Sequence, residues 1–279
     1  MKQYQLGLYE KAMPNLSWKE MLLLAKNSGF DFVELSIDAS EERIARIRST
    51  PLERRALHSL TEEIGIPFGT LNASALTKYS LGNDDVSLCS RGMEIAYGCI
   101  ELAVDLGIRV VMIPGYDVYY GVSTKDTAER FLVNVTQLTA AASSAGVQLG
   151  FETMENDFMN TVEKAMRMIS KVGSNYLQIY PDIGNMTNAA VLCGGDPLAD
   201  LWCGKGHLVG LHLKETCPGR FREVPFGHGH VDFPGTIRTA WELGIRRFVT
   251  EFWYKDGGET PHVVNARFRA LFRTLGYDR

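Results

Sequence analysis

The chain has 279 residues, 45% of them hydrophobic and 22% charged, so it can bury a sizeable core and does not have the composition of a disordered chain. A formal net charge of −4 at pH 7 leaves no broad basic face for nucleic acid. No run approaches the roughly 18 uninterrupted apolar residues that a membrane helix needs, so the expected partner is a small molecule.

Short apolar runs alternate with longer amphipathic segments from end to end. Met1-Lys2-Gln3-Tyr4 leads straight into a strand-like run at 5–9, with no apolar signal region expected. Ser17 can cap a helix that runs to Asn27 and stops at Ser28-Gly29. Further strands are predicted at 31–37, 67–73, 109–114, 148–152, 177–181, 208–214 and 247–252. Several are almost wholly apolar, as parallel strands buried on both faces should be. Apolar residues recur at helical spacing over 124–144, 164–171 and 263–274.

Gly29, Gly65, Gly107, Gly146 and Gly244 each sit between a helix and the following strand, where a left-handed residue ends a helix in a short loop. Eight such units of about 35 residues each make one (β/α)8 barrel spanning residues 1–279. No linker, low-complexity tract or charge block divides it. An open doubly wound sheet would need a glycine-rich phosphate loop after its first strand; Leu8-Tyr9-Glu10-Lys11 is not one. The five cysteines, Cys89, Cys99, Cys193, Cys203 and Cys217, form no CxxC pair and are odd in number. This pattern suits reduced thiols in a cytoplasmic protein rather than a disulfide framework or a zinc finger.

A parallel barrel presents its functional groups at the C-terminal ends of its strands. Those ends select Glu152, Asp182, His212 and Glu251, which follow one another at intervals of 30, 30 and 39 residues, one βα unit each. Any one of them could be a satisfied core residue. Four in register on strands five to eight would repel strongly without a cation, and three carboxylates with one imidazole suit one divalent metal ion such as Mn²⁺, Zn²⁺, Co²⁺ or Mg²⁺.

Rarer strings run along the chain: Gly7-Leu8-Tyr9-Glu10-Lys11-Ala12, Gly29-Phe30-Asp31-Phe32-Val33-Glu34, Gly115-Tyr116-Asp117-Val118-Tyr119-Tyr120, Tyr180-Pro181-Asp182-Ile183-Gly184-Asn185 and Val224-Pro225-Phe226-Gly227. With these the chain resembles the L-ribulose-5-phosphate 3-epimerase (L-xylulose-5-phosphate 3-epimerase) family of xylose-isomerase-like TIM barrels. The resemblance implies a metal-dependent isomerase acting on a ketose or ketose phosphate, as a homodimer or higher homo-oligomer. It implies Glu152, Asp182, His212 and Glu251 as metal ligands, and Glu152 and Glu251 as the acid and base. The chemistry agrees, because epimerising C3 of a 2-ketose removes a proton beside the carbonyl and returns it on the other face. A Lewis acid can stabilise the enediolate, and two opposed carboxylates can exchange the proton.

Candidate substrate contacts are Lys11 after strand one, Glu34 at the barrel mouth paired with Lys or Arg, Tyr116, Asn185 and Lys214. Lys214 could instead balance the acids. Arg220, Arg222 and His230 belong to a glycine-rich segment that the resemblance places over the substrate, where His230 and His228 could equally be structural. Family members read Ser-Ala-His-Arg after strand three; here Leu76 and Thr77 replace the His-Arg pair and Lys78 is the remaining cation. The segment leaves open an unphosphorylated ketose, handled by a 3-epimerase or an aldose–ketose isomerase. A metal-dependent phosphodiesterase of the endonuclease IV type would call for more than six histidines and a basic face. A non-catalytic sugar-binding protein would have no use for the four-ligand set.

Overall fold

The computed structural model describes residues 3–277. Its strands are β1 (Gln5–Tyr9), β2 (Phe32–Ser36), β3 (Phe68–Asn72), β4 (Val110–Pro114), β5 (Gln148–Glu152), β6 (Leu177–Ile179), β7 (Leu211–Leu213) and β8 (Arg247–Thr250). All pair in parallel, in the order β6-β5-β4-β3-β2-β1-β8-β7. The remaining gap, between β6 and β7, closes through two isolated parallel bridges, Ile179 with Leu208 and Asp182 with His212. There the Ile179 amide donates to the His207 carbonyl at 2.8 Å, and the His212 amide donates to the Pro181 carbonyl at 2.9 Å. The result is the (β/α)8 barrel that the repeat of strand and helix predicts.

Helix boundaries follow local chemistry. Ser17 caps Trp18–Asn27 in a capping box: the Glu20 amide donates to Ser17 Oγ, and the Ser17 amide donates to Glu20 Oε2. Lys125–Ala145 stops at Gly146 and Pro51–Ile64 at Gly65, with φ of 68° and 77°. Any residue with a Cβ would be disfavoured there by about 1–2 kcal/mol. Two helices start earlier than periodicity suggests, Val162–Val172 and Pro261–Thr274, because Thr161 and Thr260 cap them. Among the described residues no helix is long and apolar enough to cross a membrane.

β1 and β5 match their predicted spans, whereas β6, β7 and β8 are shorter than the runs at 177–181, 208–214 and 247–252. Pro181 has no N–H to donate to a ladder. The ring of Tyr180 lies across Gly210, where an added Cβ would come within 2.0 Å of it. The ladder between β6 and β7 is therefore reduced to bridges.

Residues two apart on a strand share a face. Inside the barrel this builds a lower apolar layer, with Tyr9, Phe32, Met112, Tyr180 and Val249 forming one buried cluster. Glycines make room for the rings: a Cβ on Gly7 or Gly69 would sit 2.3 or 2.4 Å from the Phe32 ring. Two residues further along the strands, above Phe32, Gly150, Gly210 and Val249, come Glu34, Glu152, His212 and Glu251. The apolar plug thus floors a polar layer.

Gly210→Ala should overpack this plug against Tyr180 and destabilise the protein by about 1–3 kcal/mol. A thermal melt followed by circular dichroism should show the midpoint falling by several degrees; an unchanged midpoint would mean that the ring moves freely.

Candidate metal centre

Each of the four strand-end residues is held by backbone before its side chain does anything. Glu152 ends β5, and its carbonyl accepts from the Gly115 amide at 3.1 Å. The Glu251 amide, just past β8, donates to the Leu213 carbonyl at 2.9 Å. Asp182 divides its two oxygens: Oδ1 caps the helix Ile183–Cys193 by accepting from the Asn185 amide at 2.8 Å, and Oδ2 faces the site. Its own amide donates to Thr153 Oγ1 at 2.9 Å.

The four side chains are buried and offer ligand atoms all within 4.8 Å of one another. His212 Nδ1 is 2.8 Å from Glu251 Oε2, 3.4 Å from Glu152 Oε1 and 3.8 Å from Asp182 Oδ2. Lys214 Nζ is 2.9 Å from Asp182 Oδ2 and 3.7 Å from Glu251 Oε2. With Glu34, whose Oε1 is 2.7 Å from His212 Nε2, the cluster holds four carboxylates against one lysine and one imidazole. Such an excess of buried negative charge fits a divalent cation, and the oxygen-rich donor set with one nitrogen suits the first-row divalent metals and magnesium.

The electrostatics separate the two glutamates. Burial, reinforced by Glu251, raises the Glu152 carboxyl to about 7 despite its hydrogen bond with His212. Burial also acts to raise Glu251, but Lys214 and His212 outweigh it and hold that carboxyl down at about 2. Desolvation alone would lower His212; Glu34 and Glu251 overcome it and keep the imidazole protonated well above its usual range. Lys214 stays charged for the same reason, through Asp182 and Glu251.

A cavity of about 370 Å³ opens above this layer, lined by Glu152, Glu251, Lys214, Asn185, Lys11, Lys78 and Arg222 among others. Its cations are largely neutralised. Lys11 pairs with Asp38 at 2.6 Å, and although burial raises the Asp38 carboxyl, hydrogen bonds from Lys11 and Ser40 hold it at about 2. Arg222 lies 3.7 Å from Glu155 and over the Trp253 ring at 5.9 Å. Lys78 rests on the Tyr79 ring at 5.2 Å and pairs with no carboxylate among the described residues. Asn185 lines the cavity; its amide nitrogen donates to the Thr153 carbonyl at 2.8 Å, and its Oδ1 is buried without a hydrogen-bond partner among the described residues.

Four residues expected at the substrate lie off the cavity wall. Glu34 pairs with His212 and Thr70 rather than with a lysine or arginine, because β2 aims it inward beneath the cavity floor. Tyr116 is buried and donates its hydroxyl to Glu155; Tyr120, with Tyr9, Phe221 and Trp253, lines the cavity instead. Arg220 is tied to its own loop by the carbonyls of Arg222 and Glu223. His230 meets Thr216 at 3.0 Å, and Thr216 in turn donates to the Gly184 carbonyl, which braces the loop against the helix after β6.

The sequence reading also passed over wall residues that the structure brings in: Asn72 at the end of β3, Ser74, Asp38 and Glu155. Asn72 obeys the same strand-end rule as the acids. Its Oδ1 and Ser74 Oγ are buried without a hydrogen-bond partner among the described residues, as contacts awaiting a polyhydroxylated ligand would be.

Comparison with known proteins decides the family. Residues 22–271 match the model of the xylose isomerase-like TIM barrel family. The L-ribulose-5-phosphate 3-epimerase UlaE of Shigella sonnei (strain Ss046) is 38% identical over 270 residues, covering 95% of this chain and 93% of its own. The chain belongs to the L-ribulose-5-phosphate 3-epimerase family of these barrels. It is an enzyme of the isomerase class. Among solved structures, an L-ribulose 3-epimerase superposes with a TM-score of 0.77 at 18% identity, covering 98% of this chain and 94% of that one. A xylose isomerase-like TIM barrel protein from Mycobacterium smegmatis in complex with magnesium superposes with a TM-score of 0.70 at 17% identity, covering 98% and 96%. At such identities these two speak for the fold.

Since His212 and, in part, Glu152 hold protons at neutral pH, a cation entering the centre must displace them. Calorimetric titration of the metal-free protein with Mn²⁺ at pH 7, in buffers of different ionisation enthalpy, should report release of between about one and two protons. Affinity should accordingly rise with pH between about 6 and 8. Binding without proton release would contradict the assigned protonation.

Proposed function

We propose that the chain is a metal-dependent 3-epimerase of ketopentose 5-phosphates, interconverting L-ribulose 5-phosphate and L-xylulose 5-phosphate. The observation that carries the reading is a pair of buried carboxylates, Glu152 and Glu251, that both face His212 Nδ1 and line the floor of one cavity. Likeness in sequence to the L-ribulose-5-phosphate 3-epimerase of Shigella sonnei supports the choice of sugar.

Glu152, Asp182, His212 and Glu251 would hold the ion. When bound, it supplies Lewis-acid stabilisation of the negative charge that develops on the oxygens beside C3. Glu251, kept ionised by Lys214, takes the proton from C3 on its carboxylate oxygen. The C–H electron pair moves toward the carbonyl carbon, and the carbonyl π pair goes to oxygen as the enediolate forms. Glu152, protonated from solvent for this step, returns a proton to C3 on the opposite face, and the carbonyl re-forms with C3 inverted. In the reverse direction the two exchange roles. Lys214 keeps the acids from repelling one another, and Asn185 Oδ1 and Asn72 accept from sugar hydroxyls. Lys78 takes the phosphate. The five unpaired cysteines suit a reducing compartment such as the cytoplasm.

One observation favours a second reading, an unphosphorylated ketose as substrate. Asp38, Asp182 and Glu155 already neutralise Lys11, Lys214 and Arg222, leaving Lys78 as the cavity's unpaired cation for a dianion. Assay of each ketopentose with and without its 5-phosphate separates the readings: the first expects a strong preference for the phosphate, and preference for the free sugar rejects it. Glu152→Gln and Glu251→Gln, assayed at saturating Mn²⁺, should each lower C3 epimerisation by about 10²–10⁴-fold. Exchange of the C3 proton with deuterated solvent persisting at the wild-type rate in both variants would sink the two-carboxylate mechanism.

A further inference from the structure

Glu34 is a fully buried carboxylate in mid-strand that lies off the cavity wall. Leaving a carboxylate in such a place is costly unless hydrogen bonds satisfy it. Two do. Its Oε1 lies 2.7 Å from His212 Nε2, and its Oε2 accepts from the Thr70 hydroxyl at 2.7 Å.

The far side of the same imidazole carries the other half of the argument. His212 Nδ1 faces Glu251, Glu152 and Asp182 within 3.8 Å, so the ring is threaded between one carboxylate on its Nε2 side and three on its Nδ1 side. Turning the ring over about its bond to Cβ would put carbon atoms where Nδ1 and Nε2 now stand, losing the contact with Glu34 and the contacts with the three acids together. Tyr180, whose ring centroid is 5.0 Å away, packs on the imidazole without offering a hydrogen bond of its own, so it confines the ring but does not choose between the two faces.

We infer that Glu34 is a positioning residue of the metal centre. It accepts the Nε2 proton of His212, with Thr70 fixing its second oxygen, and so presents Nδ1, unprotonated once the ion enters, to the ion held with Glu152, Asp182 and Glu251. The inference rests on reading those four residues as the metal centre. It gives Glu34 no contact with substrate. A carboxylate behind a ligating histidine fixes the tautomer, orients the ring and raises its basicity, and loss of such a partner weakens metal affinity by about 10–100-fold.

The test is calorimetric titration with Mn²⁺ of the full metal-free chain and of Glu34→Gln, with thermal melts of both and substrate kinetics at saturating Mn²⁺. The expected result is a Kd for Mn²⁺ raised by about 10–100-fold, with the melting point of the metal-free variant kept within a few degrees. The KM for whichever ketopentose 5-phosphate or free ketopentose the wild type turns over should change by less than about twofold. Wild-type affinity for Mn²⁺ in Glu34→Gln overturns the inference. So does a raised KM with unchanged metal affinity, which would return Glu34 to the substrate. Should Glu34→Gln fail to fold, Glu34→Asp keeps the charge but draws the carboxylate back from the imidazole, and unchanged Mn²⁺ affinity there overturns the inference equally. A wild-type chain that binds no Mn²⁺ is a different outcome, recognisable before any variant is made, and removes the metal centre itself along with the role given to Glu34.

Discussion

Four carboxylates, Glu34, Glu152, Asp182 and Glu251, meet in one buried layer with Lys214 and His212 as the cations in contact with them. Burial leaves these charges little solvation, and mutual repulsion in a low-dielectric interior would drive several of them to protonate or separate. They stay together because each is anchored by backbone that a parallel barrel cannot easily rearrange. Glu152 and Glu251 hang from strand ends that pair with β4 and β7, and Asp182 and His212 form one of the bridges that close the cylinder. Closing the fold and gathering the charges are thus one geometric event.

The layer beneath explains how the charges can be held so near the axis. Phe32, Met112, Tyr180 and Val249 fill the barrel with apolar volume, and glycines at 7, 69 and 210 leave room for the Phe32 and Tyr180 rings. A strand needs only two further residues to rise from that plug to the acids. Glu34 stands directly above Phe32 on β2, and His212 above Gly210 beside β7. The plug packs apolar volume against one side of the acids, which raises the stakes of every polar contact above it, and the cavity opens on the other side.

Much of this was legible in the residues themselves. Strands β1 and β5 read correctly because each is a short, mostly apolar segment too brief for a helix, and Glu152, Asp182, His212 and Glu251 emerged from a simple rule about strand ends. What stayed hidden depends on partners far apart in sequence. Glu34 and His212 are 178 residues apart, so nothing near Glu34 announces that its partner is an imidazole rather than a lysine. Lys11 and Arg222 looked like free cations because the carboxylates that neutralise them, Asp38 and Glu155, carry no motif of their own. Tyr116 and Tyr120 are both tyrosines of a single loop, and only its fold decides that the first is buried on Glu155 and the second faces the cavity. Asn72 and Ser74 were invisible for a plainer reason: uncharged side chains stand out only when burial leaves their polar atoms without partners.

The claim on which everything else stands is that the charge excess at the barrel mouth is a divalent-ion site. Crystals grown with Mn²⁺ and measured for anomalous scattering at the manganese absorption edge test it most directly. The account predicts one strong peak per chain, bounded by a carboxylate oxygen from each of Glu152, Asp182 and Glu251 and by Nδ1 of His212, with Nε2 still on Glu34. A peak elsewhere, or a centre in which Lys214 and a protonated His212 alone balance the acids in the presence of excess Mn²⁺, would contradict it.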